Sequence, residues 1–431
     1  MTLPEVLMAE IRPFRGIRFN LSRLQHTEEV ITPPYDVIDS DGQDRLHQRN
    51  PYNIVRLEYG KKYPSDNDTE NSYTRAENTL KDWLAQEILI ADEQPAYYLY
   101  EQKFTYNSER HTRRGIFAAL KTEDYARRTV LPHELTMSAP KADRLKLLGH
   151  LKTNISPIFT LYPDPDNMID ALCRQSPPGR LLFETGEDDG QVQLLRAITD
   201  LQLQEEITSY LAGQPLLIAD GHHRYETALA YSKDAGPDLN PGSNFILATL
   251  VSMKDPGLLV LPTHRVVAPL TAGQKAEMKK IIDSEFKYIE YGPAEELDEE
   301  DYRRELSSLA AVQPCLGMIT AEKAGFLIPG PSKDDSPLPV VLLHEKILRP
   351  VLAPGENNEA DKELLSYPHD MKTVIQSILS GNSEAAFVLD TLPVEDVLKR
   401  AQQGRVMPQK STFFYPKLPG GLVLHHHSIS Y

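Results

Sequence analysis

One stretch limits the possible folds more than any other: Leu216 to Ala230, reading LLIADGHHRYETALA. The apolar run Leu216–Ala219 suits a buried strand that stops at Asp220, and the pattern after Tyr225 predicts a short helix through Tyr231. Gly221 permits a sharp turn between the two. Such a junction presents Asp220, Gly221, His222, His223 and Arg224 together without interrupting a core. The fold class expected is therefore mixed α/β, of the α+β kind.

The residue types at this turn point to phosphate chemistry. Backbone N–H groups opening a helix favour an anion, and Arg224 supplies a bidentate clamp. Asp220 suits a magnesium ion or a hydroxyl to be oriented. Of His222 and His223, one is available to donate to phosphate or to move a proton while the other packs as a structural residue. Their adjacency lacks the HExxH spacing of helical zinc ligands, which argues against zinc.

Three further segments carry candidates. Pro132, His133, Glu134 and Thr136 precede a helix over Lys141–Asn154, whose Lys141, Arg144 and Lys146 can neutralise phosphate while Glu134 serves as base or metal ligand. Pro33 and Pro34 forbid helix before Asp36 and place that carboxylate on a stiff turn. Near the end, Lys410, Ser411, Thr412 and Lys417 surround aromatic residues, a combination able to close over a phosphate or a base, with Lys410 the preferred contact.

Elsewhere the periodicity predicts a helix over Asn71–Gln86, strands over Ala96–Tyr106 and Arg114–Leu120 joined through Asn107–His111, and helices near Lys362–Leu365 and Lys372–Leu379. The acidic run Glu295–Asp301 marks the expected boundary between a mixed α/β region over 1–295 and a C-terminal α/β domain over 296–431, whose last segment returns to the site. No early GxGxxG fingerprint supports a dinucleotide fold.

Composition narrows the function classes. With 46 Lys plus Arg against 62 Asp plus Glu in 431 residues, the formal charge is −16, and no basic block offers the footprint duplex binding needs. Cys173 and Cys315 form no CxxC pair, which points to a reducing compartment. No apolar run approaches a membrane span, so a cytoplasmic protein is expected, with a homodimer as the default oligomer.

Pro33–Ile38, Pro132–Glu134, Asp220–Tyr225 and Lys410–Lys417 together resemble the bacterial and archaeal family called domain of unknown function 1015, across almost the full chain. The central turn is also similar to the ParB and sulfiredoxin superfamily, whose members bind nucleotides or phosphoryl groups and include free-serine kinases. That resemblance implies a ParB/sulfiredoxin-like core elaborated by further mixed α/β segments. It implies that Asp220 and His223 organise phosphate and metal, that Arg224 binds phosphate, and that an N-terminal acid, here Asp36, activates a substrate hydroxyl. Those relatives use a glutamate in that last role, so Asp36 reaches less far. Sulfiredoxin chemistry needs a cysteine in the turn, which carries histidines instead.

The expected activity is magnesium-dependent phosphoryl transfer from a nucleotide (ATP, ADP or CTP) to the hydroxyl of a small metabolite or amino acid. Asp220 would position the metal, Gly221, His222, His223 and Arg224 would bind phosphate with Arg144, and Asp36 or Glu134 would act on the acceptor. A nucleotide or phosphometabolite hydrolase, or a non-enzymatic nucleotide-binding regulator related to ParB, would use the same cradle.

Overall fold

The apolar run at Leu216 does form a strand, Leu216–Asp220, and every residue in it except Asp220 is buried. In the computed structural model, which describes residues 9–134, 136, 138–175, 178–188, 190–234, 240–330, 338–352 and 364–429, two units separate. One comprises Met1–Leu259, Leu398–Gly404 and Phe414–Tyr431; the other comprises Val260–Val397 and Arg405–Phe413.

The first unit is built on a nine-stranded sheet. Its order is Val130–Leu131, Leu216–Asp220, Ile158–Tyr162, Phe245–Ser252, Glu109–Lys121, Tyr97–Tyr106, Gln191–Ile198 and Arg180–Glu184, with Ile11–Arg12 added against Glu109–Lys121. Leu216–Asp220 runs parallel to Val130–Leu131, and Phe245–Ser252 parallel to Ile158–Tyr162; the other pairings are antiparallel. The first hairpin strand matches its expected span to within one residue, whereas the second is longer than its apolar run suggests. Tyr97–Tyr106 and Glu109–Lys121 are joined only by Asn107 and Ser108, both at positive φ, the pattern of a type I′ turn that matches strand twist.

Phe245–Ser252 is buried along its whole length, as a strand covered on both faces must be. Helices supply that cover. Helix His222–Asp234 packs on the strand and on helix Ser138–Leu151, against which lies helix Ser72–Ala85, capped by Asn71 in a capping box. Ile158, Ile218, Tyr225, Ala228 and Ile246 meet in one apolar core.

The C-terminal segment belongs to this unit. Gly420 N–H donates to Thr32 O at 2.8 Å, Leu424 N–H to Ile17 O at 2.7 Å, and His425–His426 pairs with Thr153–Asn154. Leu422, Val423, Leu424, His425 and His427 are all buried.

The second unit has its own six-stranded antiparallel sheet, ordered Phe286–Pro293, Lys323–Pro329, Leu316–Thr320, Ala385–Val388, Arg265–Val267 and Leu365–Ser366. Tyr302, Leu306, Phe326, Val374 and Ile378 lie in its core. The division at Leu259/Val260 corrects the boundary expected at 295/296. Residues before the acidic run already build this sheet, since Arg265–Val267 pairs with Ala385–Val388 and Phe286–Pro293 with Lys323–Pro329. The acidic run instead opens helix Glu299–Ala310, where Asp298 accepts from Asp301 N–H at 2.9 Å and three acids occupy the first turn, complementing the helix dipole. Of the helix expected at Lys362–Leu365, Lys362 and Glu363 lie outside the described residues, and Leu365 belongs to a strand.

Candidate functional site

A register shift between Ile218 and Asp220 makes Ala219 an extra residue in the strand and re-aims the chain beyond it. Gly221 then takes φ +92°, and helix His222–Asp234 begins. Arg224, one turn on, donates from Nη2 to Asp220 Oδ2 at 2.6 Å and from Nη1 to the Pro157 carbonyl. Lys417 Nζ donates to the other carboxylate oxygen, Asp220 Oδ1. Burial alone would raise the Asp220 carboxyl, but Lys417 and Arg224 hold it well below the usual carboxylate range. One carboxylate is thus clamped between two cations at a helix N-terminus.

Gly221 is required in this arrangement. A Cβ there would come within 3.0 Å of Ile158 Cγ2 and 3.1 Å of the Arg224 guanidinium, in a conformation L side chains rarely adopt. Gly221→Ala is expected to lower stability by about 1–3 kcal/mol in urea denaturation. A midpoint equal to wild type would show that the turn relaxes freely.

The adjacent histidines take different roles. His222 is buried, and its Nε2 accepts from the backbone N–H of His133 at 3.3 Å, so its proton resides on Nδ1. Burial pushes its pKa down to about 3, which keeps the ring neutral. His133 in turn places Nδ1 2.6 Å from the Ile218 carbonyl, which requires Nδ1–H, and its Nε2 stands 3.4 Å from Glu134 Oε1. The rings of His133 and His222 meet edge to face with centroids 4.7 Å apart. His222 is therefore the packed member of the pair, and Glu134 joins the Asp220 cluster through His133.

His223 is half-buried, and burial lowers its pKa; Glu226, Lys141, Asp36 and Arg224 are the charges around it. Glu226 is a residue that the sequence motifs did not single out. It accepts from the Thr136 hydroxyl at 2.9 Å and pairs with Lys141, so Lys141 is neutralised locally. Asp36 sits exposed on the short turn Tyr35–Val37.

Arg144 is buried and mostly engaged by protein. Its Nη1 donates to the Glu58 carbonyl at 2.7 Å, its Nε to Asp143 Oδ2 at 3.1 Å, and its guanidinium lies 4.2 Å from the Tyr35 ring centroid. Glu58, 5% exposed, was also missed. The signal for it is faint: a carboxylate closing a turn in which Ile54, Val55 and Leu57 are apolar.

The C-terminal candidates divide. Lys417 reaches Asp220, whereas Lys410, Ser411 and Thr412 belong to the second unit. There the Lys410 carbonyl accepts from Arg265 Nη2 at 3.1 Å, and Ser411 Oγ donates to the Pro408 carbonyl at 2.6 Å.

The donor set does not fit the magnesium expected on Asp220. Both of its oxygens already serve cations, and no group of three or more His, Cys, Asp or Glu side chains able to hold a metal occurs among the described residues. What the arrangement can do is exchange anions: a phosphate oxygen offers Arg224 and Lys417 the same partners as the Asp220 carboxylate. No helix among the described residues is long and apolar enough to cross a membrane.

Comparison with known proteins gives a family match over residues 11–343 to a model described as protein of unknown function (DUF1015). No curated protein matches. Among solved structures, the chain is similar to a conserved hypothetical protein from Pyrococcus furiosus, at 15% identity and TM-score 0.39 over 73% of this chain and 97% of that one. It is also similar to a free serine kinase in complex with AMP, at 13% identity and TM-score 0.39 over 70% of this chain and 86% of that one. A third is SbnI with a C-terminal truncation from Staphylococcus aureus, at 9% identity and TM-score 0.36 over 70% and 84%.

Proposed function

The chain belongs to the DUF1015 family of proteins of unknown function, and we propose from its site that it transfers a phosphoryl group from a nucleotide to the hydroxyl of a small metabolite. The observation that carries this reading is the clamp of Arg224 and Lys417 on one carboxylate at the start of helix His222–Asp234. Nucleotide phosphate displaces the Asp220 carboxylate from these cations. It gains the first-turn N–H groups, which have no acceptor within the helix.

Transfer then needs positioning and charge neutralisation more than covalent chemistry. Glu134 is the better placed of the two expected bases, since it is largely shielded and grouped with His133 and His222, whereas Asp36 is exposed. As the acceptor oxygen bonds to phosphorus, its proton passes to the Glu134 carboxylate, and the bridging oxygen of the nucleotide leaves with the bonding electron pair. His133 Nε2 lies beside Glu134, and His223 lines the approach beside Asp36 and Glu226.

The test is a mass-spectrometric screen of the full chain with ATP, ADP and CTP against pooled hydroxy metabolites in magnesium-containing buffer. A phosphorylated metabolite is expected, and Glu134→Gln is expected to lower its formation about 10²-fold or more while still binding nucleotide. Release of inorganic phosphate with no acceptor product would make the protein a hydrolase. Nucleotide binding without turnover would make it a sensor.

A further inference from the structure

Beside Arg224 the first unit contains a cavity of about 50 Å³ whose lining includes Glu58, Arg144, Asn154, Ser156, Arg224 and Thr227. That is room for several water-sized groups, given that one needs roughly 10–15 Å³ of such space. Two of the lining groups can take further hydrogen bonds. The Thr227 hydroxyl is buried and makes no hydrogen bond among the described residues. Glu58 Oε1 stands 4.0 Å from Arg144 Nη1, too far for a hydrogen bond, because that nitrogen donates to the Glu58 main-chain carbonyl instead. Burial raises the Glu58 carboxyl, against the pull of Arg144, Arg224 and the Ser156 hydroxyl. Beyond that one hydroxyl the carboxyl keeps acceptor capacity for a donor on a ligand.

With Glu58 ionised, the fixed charges around the cavity cancel. Arg144 is matched by Asp143, while Arg224 and Lys417 share Asp220 and leave one positive charge for Glu58. Lys62, which also touches Asp143, and Asp36 are exposed to solvent, and water screens them. A lone carboxylate on a ligand would meet Glu58, and a lone ammonium would meet two guanidinium groups. Neither is favoured.

We infer that this cavity is the acceptor pocket of the transfer proposed above, on which the inference rests, and that it takes the small, net-uncharged polar end of the acceptor. Glu58 and Thr227 accept hydrogen bonds from that end, and Arg224, common to the cavity and the phosphate clamp, couples the two ligands. Glu58 is then the residue that sets acceptor charge.

The experiment measures ATP-dependent phosphorylation of four probes by the full chain: glycerol and threonine (net-uncharged), ethanolamine (a cation) and glycerate (an anion). ATP affinity is measured separately. Wild type is expected to phosphorylate a net-uncharged probe. Glu58→Gln is expected to raise the KM for that probe about 30-fold, the loss of one hydrogen bond to a charged group, not to weaken ATP binding, and to shift preference towards glycerate because one negative charge is gone. Thr227→Leu, which fills the cavity, is expected to raise the same KM with ATP affinity intact, and it serves if Glu58→Gln does not fold. Preference of wild type for ethanolamine or glycerate, or an unchanged KM in both variants, would overturn the pocket while leaving phosphoryl transfer standing. ATP binding with no transfer to any probe or to the wider metabolite pool would overturn the transfer itself, and the pocket's role with it.

Discussion

Asp220→Asn is expected to bind ATP about tenfold more tightly than wild type while unfolding at distinctly lower urea concentration. The carboxylate lies between Arg224 Nη2, at 2.6 Å, and Lys417 Nζ, with all three side chains at most 17% exposed. Removing its charge leaves two shielded cations without their anion, a change that typically costs about 3 kcal/mol or more. Those same cations then meet an incoming phosphate without a competing carboxylate. ATP should accordingly raise the urea midpoint of the variant more than that of wild type, because the stability that ligand binding adds to the folded state grows with the logarithm of affinity. Weaker ATP binding by the variant would sink the idea that Asp220 occupies the place of a phosphate. The pH window is also set: the folded pKa is depressed, so the stabilisation is present above the ordinary value of 3.8 and is lost as pH falls below it.

A second large effect appears at milder acidity and has a different source. His222, His425 and His427 are buried in the first unit, and burial lowers all three, His222 and His427 to about 3. Each ring is neutral in the fold, while the unfolded chain takes up protons below about 6.5. Their contribution is therefore complete above that pH and declines below it, by about 2 kcal/mol per histidine at pH 5. His427 is the cleanest test. Its Nε2 is buried with no hydrogen-bond partner among the described residues, and Tyr231, His425, His426, Lys152 and Ser243 surround it without an acid to support a charge. His427→Leu is expected to flatten the fall in urea midpoint between pH 7.5 and pH 5 by one histidine's share. A slope identical to wild type would refute burial as the cause. Because this segment also carries Lys417, acid loosening of the tail and loss of ATP affinity should occur together.

The strand–turn–helix at Leu216–Ala230 was legible because local signals agreed: an apolar run with no polar alternation, a glycine at the break, and helical spacing after it. Arg224 was legible as an anion ligand for the same reason, since its partner Asp220 lies one helical turn away. The acidic run Glu295–Asp301 was misleading because a helix start and a solvated linker share a composition, and only the capping bond from Asp301 N–H to Asp298 separates them. Glu134 was legible as a carboxylate of interest, but its link to the cluster passes through His133, whose neighbour His222 lies far along the chain.

By itself, then, the sequence determined the fold class and the turn that gathers Asp220 to Arg224, both of which depend on residues within a few positions of one another. The tertiary structure decided which lysine completes the clamp, Lys417 rather than Lys410, which histidine is packed, and that Glu58, Arg144 and Thr227 share one cavity with Arg224. Those outcomes depend on pairings between residues distant in sequence, such as Gly420 with Thr32 and Thr153–Asn154 with His425–His426. Loop closure makes each such pairing a property of the whole packed core, so no local pattern of residue types records it.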